Sequence, residues 1–479
     1  MPGRARSAWV FVAALAASIP AQADDLGKFL ENTARSQLRE AFNPRNIGRV
    51  IPPGTPFSPA PAPSSPAQPQ ATAPTLVPTN PQVPTRPSFP NPFQAPQAAA
   101  PRSAPGAGST SSNGEPVVAK TADGWSLVAV HYRPSGAPRP GAMPVILCHG
   151  LTYNSQFWDL DPSCSFAQYL AQNGFDVWAV NLRGSGLSHK WVWNLEDAPA
   201  SLIGSALRRL NPGQVGPSGF STLDPKYANW TMDHHIAYDV PTFVNLVRRH
   251  TGAPEVAWVG HSMGGIVALA FLSRYQNPGI GRLVTVGSQV TMPEGQVVTQ
   301  FLTELVTDRQ LQLAGRITGK QVMDQTRTTV NNLFFNQTNV NPKIYEALTS
   351  WATDIPSIGL MQQYLLLSKK GELLDSKGQF SYARAMGNVK IPIFISCGEE
   401  DSFAPPKVQR YLFQHVGSTD KTLYIFGRSH GHTVNAGHDD ALVGLNSRNE
   451  SYPIIARWLL GTPPRAQQAA QAPPQVPTR

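Results

Sequence analysis

Cysteine is scarce in this sequence, since only Cys148, Cys164 and Cys397 occur among its 479 residues. Because the count is odd, at least one thiol has no intramolecular partner, and the sequence offers no disulfide framework. The folded part of the chain must therefore be stabilised by burial of apolar side chains.

Long apolar runs are missing as well. The apolar stretch at residues 8–19 is well short of the ~20 residues that a spanning helix needs, and no later stretch is long enough. It follows Arg4 and Arg6 and precedes an Ala-Gln-Ala site, which is the pattern of a cleaved secretory signal peptide. We expect residues 1–23 to be removed and the protein to be secreted or to lie in the periplasm or cell envelope. An uncleaved membrane anchor is the alternative interpretation.

Charge is also low, with 14% charged residues and a formal net charge of +9 at pH 7. The positive residues are scattered, and no Lys/Arg block occurs. This pattern indicates solubility or mild attraction to anionic surfaces, and it predicts no nucleic-acid binding.

Composition divides the rest of the chain into four segments. Residues 24–51 form an amphipathic N-terminal helical segment, with apolar residues at three- and four-residue steps. Residues 52–114 hold 18 of the 46 prolines and predict a disordered linker. The folded domain is expected at 115–461, and 462–479 form a Pro/Ala/Gln-rich disordered tail. The tails are candidates for peripheral contact with a membrane or the cell envelope.

The folded segment predicts an α/β fold. Most of its later strand candidates are short Val/Ile/Leu/Phe runs with little alternation, as expected for strands buried on both faces of a parallel sheet. Helical stretches separate them, which favours a mostly parallel eight-stranded sheet flanked by helices. The eight candidates are 116–121, 125–132, 144–149, 175–181, 255–260, 282–288, 391–397 and 421–427.

One connection is too long for a simple crossover. About a hundred residues separate the sixth and seventh strands, and a structureless loop of that size is improbable. We expect an inserted helical cap at about residues 291–388, with exposed apolar residues that include Leu360 and Tyr364. A second insertion, residues 191–229, is expected to line the same cleft. The predicted cap helices are 297–313, 319–334, 342–351 and 357–368.

The pentapeptide at residues 260–264 is Gly-His-Ser-Met-Gly, a G-x-S-x-G pattern between an apolar run and a helical pattern. Strand, sharp turn and helix are the context in which this pattern forms a nucleophile elbow. Gly260 and Gly264 are needed because side chains there would collide in so tight a turn. Ser262 is therefore the predicted nucleophile, and an ordinary glycine-rich turn is the alternative.

A serine nucleophile needs a base and an acid that orients the base, in the chain order Ser, Asp, His. The seventh strand ends in Gly-Glu-Glu-Asp, and Asp401 is favoured over Glu399 and Glu400 because it lies at the tip of the turn. A carboxylate there lies at the C-terminal edge of the sheet, where ligands bind. Asp401 is the predicted acid.

The base must follow the eighth strand, where His430, His432 and His438 are candidates. His438 is favoured because a helix-like stretch follows it, with His432 second. A metal site in this histidine cluster is the weaker interpretation, since no further ligands stand at a familiar spacing. We expect no metal and no cofactor.

An oxyanion hole needs two backbone N–H groups aimed at the developing negative oxygen. One is expected from Met263, directly after the nucleophile at a helix start. The other is expected from Leu151, in the loop that follows the third strand and begins His149-Gly150. His149 itself is predicted to be structural, hydrogen-bonding that loop, and not to be the base.

Several stretches of the sequence resemble those of a known family. Residues 144–460 resemble the acid lipase branch of the α/β hydrolases, which includes gastric and lysosomal lipases. The resemblance implies that Ser262 is the nucleophile, Asp401 the acid and His438 the base, with Leu151 and Met263 as oxyanion donors. The matching stretches are HGLTYNSQFWD (149–159), NGFDVWAVNLRGSGLSHK (173–190), AYDVPTFVNLV (237–247), VGHSMGG (259–265), GEEDSFA (398–404) and GHDDALVGLN (437–446).

These observations predict an exported serine hydrolase that cleaves lipid esters or other hydrophobic acyl esters through an acyl-enzyme. Acyl transfer to an alcohol and polyester depolymerisation are alternatives that use the same triad. An inactive hydrolase fold that serves as a binding or surface module is an alternative of another class.

Overall fold

The computed structural model describes residues 114–191, 219–222, 225–275, 279–292, 334–462 and 464. The predicted signal peptide, the N-terminal helical segment, nearly all of the linker and the C-terminal tail lie outside the described residues. So do most of the second insertion and the predicted cap helix at 297–313, together with all but the last residue of the one at 319–334. The domain boundaries in those regions stay predictions.

A central sheet of eight strands confirms the predicted α/β class. The strands are β1 (Glu115–Lys120), β2 (Ser126–Tyr132), β3 (Val145–Cys148), β4 (Val177–Asn181), β5 (Val256–His261), β6 (Ile280–Val286), β7 (Ile393–Gly398) and β8 (Lys421–Phe426). Their spatial order in the sheet is β1-β2-β4-β3-β5-β6-β7-β8. The first two strands pair antiparallel as a hairpin, β2 pairs antiparallel with β4, and the remaining pairs are parallel.

Helices fill the connections. The α-helices are α1 (Phe166–Gln172), α2 (Val240–Thr251), α3 (Met263–Arg274), α4 (Pro342–Trp351), α5 (Ile358–Lys370), α6 (Pro406–His415), α7 (Asp440–Val443) and α8 (Ser451–Leu459). The shorter helical turns are Ser155–Trp158, Pro225–Tyr227, Met232–His234, Gln337–Asn339, Arg384–Asn388 and Arg428–His430. Short strand pairs join Asp159–Asp161 to Cys164–Ser165 and Lys190–Trp191 to Ser221–Thr222.

The sheet is buried on both faces. In β3, Ile146 and Cys148 enter one apolar core with residues of α2 and α3. Val145 and Leu147 enter a second core with residues of α1 and α8. This two-sided burial explains why the central strands read as continuous apolar runs.

The sixth strand ends earlier than the sequence pattern predicts. The apolar run at 282–288 places its end at Ser288, whereas β6 stops at Val286. Gly287 has a backbone φ of +64°, outside the extended range of a strand. The turn at Gly287 therefore ends the strand two residues before the predicted end.

An irregular turn directly precedes α2. Residues 235–239 form a π-helical turn, in which the N–H of Val240 donates to the carbonyl of His235, five residues back. Pro241 follows at the start of α2 and has no N–H to donate four residues back. Such π turns are rare and are often found at functional sites.

The described part of the cap is less exposed than predicted. Helices α4 and α5 form close to their predicted positions. Leu360 and Tyr364 were predicted to be exposed, but both are buried in the apolar core. Trp351, at the end of α4, is 59% exposed. The inner face of α5 therefore belongs to the body of the domain.

All three cysteines are buried and free. None of the helices in the described ranges combines the length and the apolar character that crossing a membrane requires.

Candidate active site

Ser262 lies at the sharp turn between β5 and α3. Its φ of 50° makes it the single non-glycine residue with positive φ in the described part of the chain. A Cβ at Gly260 would lie 2.2 Å from the backbone nitrogen of Gly265, and one at Gly264 would lie 2.1 Å from the carbonyl oxygen of Cys148. Both glycines are therefore required by close backbone approach, which is the geometry of a nucleophile elbow.

Two hydrogen bonds hold the strained serine backbone. The N–H of Ser262 donates to the carbonyl of Val286 over 2.8 Å. The hydroxyl of Ser288 donates to the carbonyl of Ser262, also over 2.8 Å. Strain of this kind persists where surrounding contacts determine the conformation, and these bonds to the end of β6 supply such contacts.

The predicted acid and base meet beyond the ends of β7 and β8. His438 Nδ1 lies 2.9 Å from Asp401 Oδ2, and both side chains are buried. The other oxygen, Asp401 Oδ1, accepts the backbone N–H groups of Phe403 at 3.0 Å and Ala404 at 2.7 Å. The carboxylate is thus fixed in position by its own loop while it orients the imidazole.

The imidazole of His438 is set up to accept a proton. Burial lowers its pKa, but the facing carboxylate of Asp401, with Asp439 and Asp440, outweighs burial and raises the pKa above its ordinary value. With Nδ1 directed at Asp401, the free nitrogen is Nε2, which is buried without a hydrogen-bond partner among the described residues. This pairing and protonation suit a general base.

The rival candidates have other partners. Glu400 accepts hydrogen bonds from Asn336 and Asn435. Glu399 accepts the backbone N–H of Ser429 at 3.2 Å. His432 lies between Tyr424 and Glu450, with its nitrogens 3.0 and 3.1 Å from their oxygens. His430 bonds to the neighbouring hydroxyl of Ser429. None of these contacts joins a rival to the acid–base pair.

Gly287 connects the serine turn to the acid–base pair. It follows Val286, whose carbonyl holds Ser262, and a Cβ on Gly287 would lie 2.9 Å from His438 Cε1 and 3.1 Å from Asp401 Oδ2. Gly287 was not among the predicted site residues. A glycine inside the predicted sixth strand, 282–288, was the available signal.

The two predicted oxyanion residues line one small cavity that is open to solvent. Met263 begins α3, and Leu151 lies in the loop after β3. The same cavity is lined by His149, Trp230 and residues 354–356. The two residues whose backbone amides are predicted to form the oxyanion hole therefore lie beside the same cavity.

His149 stabilises the loop that carries Leu151. Its Nδ1 lies 2.8 Å from the carbonyl of Gly150, while Nε2 accepts the N–H of Leu182 at 3.2 Å. Burial lowers the pKa of His149 to about 4, so the ring is neutral at pH 7. These contacts match the structural role predicted for this histidine.

A further group of polar side chains lies next to His438. His261, His438 and Asp439 place potential metal-ligand atoms within 4.8 Å of one another. His261 Nε2 lies 3.2 Å from the carbonyl of His438 and 3.1 Å from Asp439 Oδ1, and the hydroxyl of Tyr153 donates to Asp439 Oδ2. These contacts are made within the protein, and a metal-free site stays our prediction.

Comparison with known proteins identifies the family. The sequence model of the α/β hydrolase fold matches residues 143–444, more than half of the chain. Human lipase member K is 28% identical over 171 residues, covering 35% of this chain and 36% of that protein. Rat gastric triacylglycerol lipase is 27% identical over 169 residues, covering 34% of this chain and 35% of that protein.

The matches to these curated relatives thus span about a third of the relatives' own length. Among solved structures, an esterase from Thermogutta terrifontis aligns with 73% of this chain and 99% of its own, at 15% identity and a TM-score of 0.47. The relatives confirm the resemblance noted from the motifs. The chain belongs to the α/β-hydrolase-fold family.

Proposed function

We propose that this protein is an exported serine hydrolase that cleaves carboxylic esters of hydrophobic acyl groups. Ser262 is the nucleophile, His438 the base and Asp401 the acid that orients it. The backbone N–H groups of Leu151 and Met263 form the oxyanion hole.

One observation carries the proposal. His438 is paired with the buried Asp401, and its Nε2 has no hydrogen-bond partner within the described ranges. The ring lies against Gly287, next to the residue that holds the Ser262 backbone. A paired Nδ1 and a free Nε2 are what a triad requires of its histidine. The lipase names of the matched relatives favour ester chemistry over other reactions of this fold.

The reaction follows from these roles. His438 Nε2 takes the proton of the Ser262 hydroxyl as its oxygen attacks the ester carbonyl. The tetrahedral oxyanion is stabilised by the amides of Leu151 and Met263. His438 then returns the proton to the leaving alcohol, and an ester bond joins the acyl group to Ser262. Water, activated by the same histidine, releases the carboxylic acid and restores the serine.

The cavity supports a hydrophobic substrate. Alongside Leu151 and Met263, it is lined by apolar side chains of the cap region, Ile355, Pro356 and Leu360. Apolar lining with a few convergent polar groups is typical of ligand sites. The cap therefore shapes the space next to the predicted oxyanion hole, where an acyl or alcohol group of the ester would lie.

Fluorophosphonate labelling tests the nucleophile. The folded protein should form an adduct at Ser262, and Ser262→Ala should abolish it. Ser273→Ala is a matched control, because Ser273 is another buried serine of the same region whose hydroxyl bonds only to the nearby carbonyl of Ala270. An unlabelled Ser262 in folded protein would contradict the enzyme proposal and favour an inactive binding module.

A series of p-nitrophenyl esters, from acetate upward, tests the acyl group. We expect kcat/KM to rise with chain length beyond acetate, and strict preference for acetate would contradict a hydrophobic acyl substrate.

Adding an alcohol to the assay distinguishes acyl transfer, which forms a new ester, from hydrolysis, which forms only the acid. Release of soluble acids from a polyester film would identify depolymerase activity.

Export and envelope contact are proposed from sequence alone. The proposal depends on the signal-peptide pattern at residues 1–23 and on the composition of the tails. Terminal sequencing of the protein from the culture medium or envelope fraction should give Asp24 as the first residue. An intact N-terminus would instead support an uncleaved anchor.

A further inference from the structure

The cavity beside the predicted oxyanion hole contains polar groups that the triad does not use. His235, Arg183 and Asp354 line it together with the apolar side chains already described. A buried polar group without a hydrogen-bond partner is unfavourable. Their hydrogen bonds therefore indicate what kind of ligand the cavity suits.

His235 forms a second buried Asp–His pair. Its Nδ1 lies 2.7 Å from Asp239 Oδ2, and both side chains are almost completely buried. Burial raises the pKa of Asp239, but the Arg183 guanidinium and His235 outweigh burial and lower it to about 2. Burial lowers the pKa of His235, so the ring is neutral at pH 7. Nδ1 then carries the proton, and Nε2 is a hydrogen-bond acceptor.

This acceptor is unused by the protein. His235 Nε2 has no hydrogen-bond partner among the described residues, although His235 lines the cavity. The ring lies in the π-helical turn 235–239, which Pro241 favours by lacking an N–H. A ligand group that donates a hydrogen bond would satisfy this nitrogen.

The other polar groups do not favour an anionic ligand. The guanidinium of Arg183 is engaged by Asp239 at 2.7 Å and by both oxygens of Asp123 at 2.7 and 3.1 Å. Asp354 accepts from Lys190 at 3.1 Å and from the backbone N–H of Gly186 at 2.7 Å. Two carboxylates thus neutralise the arginine, and Lys190 pairs with Asp354. The cavity therefore suits a neutral polar group.

Trp230 supplies the complementary donor. Its side chain lines the same cavity, and its buried Nε1–H has no acceptor in the described ranges. The cavity thus has one unused acceptor, on His235, and one unused donor, on Trp230. A hydroxyl group can donate to the first and accept from the second.

We propose that the cavity binds a hydroxyl group of the substrate, which donates to His235 Nε2 and accepts from Trp230 Nε1. The inference extends the proposed function, on which it rests, by naming the substrate class as hydroxyl-bearing esters. The hydroxyl can belong to the acyl chain, as in an ester of a hydroxy acid, or to the alcohol, as in a partial ester of a polyol. His235 and Trp230 are specificity residues in either case.

Two matched ester pairs test the proposal. One pair is p-nitrophenyl butyrate and p-nitrophenyl 3-hydroxybutyrate, and the other is propyl butyrate and 2,3-dihydroxypropyl butyrate. The measured quantity is the ratio of kcat/KM for the hydroxylated ester to that for the plain ester. We expect this ratio to be about tenfold in favour of the hydroxylated ester in at least one pair. The pair that shows it identifies which side of the ester carries the hydroxyl.

Variants then connect the preference to the two side chains. His235→Leu and Trp230→Phe should each reduce the ratio by between about twofold and tenfold, as expected for loss of one hydrogen bond. Tyr364→Phe is the control. It removes a buried hydroxyl that likewise has no hydrogen-bond partner in the described part of the chain, from a residue that does not line the cavity. It should leave the ratio unchanged. Thermal unfolding and Ser262 labelling establish that each variant is folded.

The outcomes separate this inference from the proposed function. Two results would overturn the hydroxyl site while leaving the ester hydrolase proposal intact. One is hydrolysis with a kcat/KM ratio near one in both ester pairs. The other is a preference for the hydroxylated ester that stays unchanged in both His235→Leu and Trp230→Phe. Absence of hydrolysis and of Ser262 labelling would overturn the ester hydrolase proposal. In that event, calorimetry with 3-propoxy-1,2-propanediol and dipropyl ether still tests the site. Preference for the diol that disappears in His235→Leu and Trp230→Phe would support it, and equal binding would refute it.

Discussion

Replacing Asp401 by asparagine should abolish most of the activity while leaving the loop intact. The oxygen of asparagine can still accept the backbone N–H groups of Phe403 and Ala404, which Asp401 Oδ1 accepts at 3.0 and 2.7 Å. The amide NH₂ then faces His438 Nδ1, which must accept instead of donate. The proton of the neutral imidazole moves to Nε2, the nitrogen that has to accept the proton of Ser262.

The size of the effect follows from this change of tautomer. An Asp-to-Asn substitution in a serine triad lowers kcat by about 10⁴, and we expect a loss of that order here. Ester hydrolysis followed over a range of pH provides the assay. Glu400→Gln is the matched control, because Glu400 lies beside Asp401 and bonds only to Asn336 and Asn435. It should change kcat/KM by less than about threefold, since a surface contact contributes little.

The pH dependence of kcat/KM provides a second, independent test of Asp401. In the native protein Asp401 helps to raise the pKa of His438 against the effect of burial. Because the base must be neutral, kcat/KM should rise with pH through this pKa. Removing a carboxylate at 2.9 Å should move the rising limb to lower pH by about 1–3 units. If kcat/KM of Asp401→Asn rose over the same pH range as in the native protein, or if activity fell by less than about tenfold, the assignment of Asp401 as the acid would be refuted.

Three further predictions concern other residues. Gly378→Ala should lower the free energy of unfolding by about 1–2 kcal/mol, because its φ is positive. Gly287→Ala should lower it by more, because its Cβ would also lie 2.9 Å from His438 Cε1. Only Gly287→Ala should also abolish hydrolysis, since a Cβ at Gly378 meets nothing within 4 Å. Burial raises the pKa of Asp440 from 3.8 to about 6. Urea unfolding should therefore show stability falling by on the order of 3 kcal/mol from pH 4 to 6, a slope that Asp440→Asn removes. Burial also raises the pKa of all three cysteines, to about 11 for Cys164, so a thiol reagent should label none before unfolding.

The sheet and the strand-end residues could be predicted from sequence for a physical reason. Strands buried on both faces carry apolar side chains at every position, so each appeared as a short apolar run. In a parallel sheet the carboxyl ends of the strands share one edge. The residues after β5, β7 and β8 therefore had to lie near one another, which is why Ser262, Asp401 and His438 could be proposed together.

Features that depend on backbone irregularity were not predictable in the same way. The early end of β6 depends on the φ of Gly287, and an apolar run does not report φ. The π turn at 235–239 directly precedes α2, which has Pro241 in its first turn. The missing N–H of that proline is visible in the sequence, but it does not by itself predict a π turn. The buried face of α5 resembled an exposed apolar stripe, because periodicity shows which residues share a face but not what covers that face.

The residues of the proposed triad and the residues that line the cavity differ in the same way. The proposed triad follows strand ends, whose positions the sheet fixes. The cavity is lined instead by Trp230, His235 and residues 354–356, which come from connections between strands and which sequence analysis did not single out. His235 Nδ1 donates to Asp239, whose other carboxylate oxygen accepts from Arg183, so His235 has a defined tautomer and the cavity has a fixed acceptor although it lies outside the sheet. Members of the fold that share the triad can thus differ in substrate through a few residues of this kind, because changing them leaves the strands unaltered.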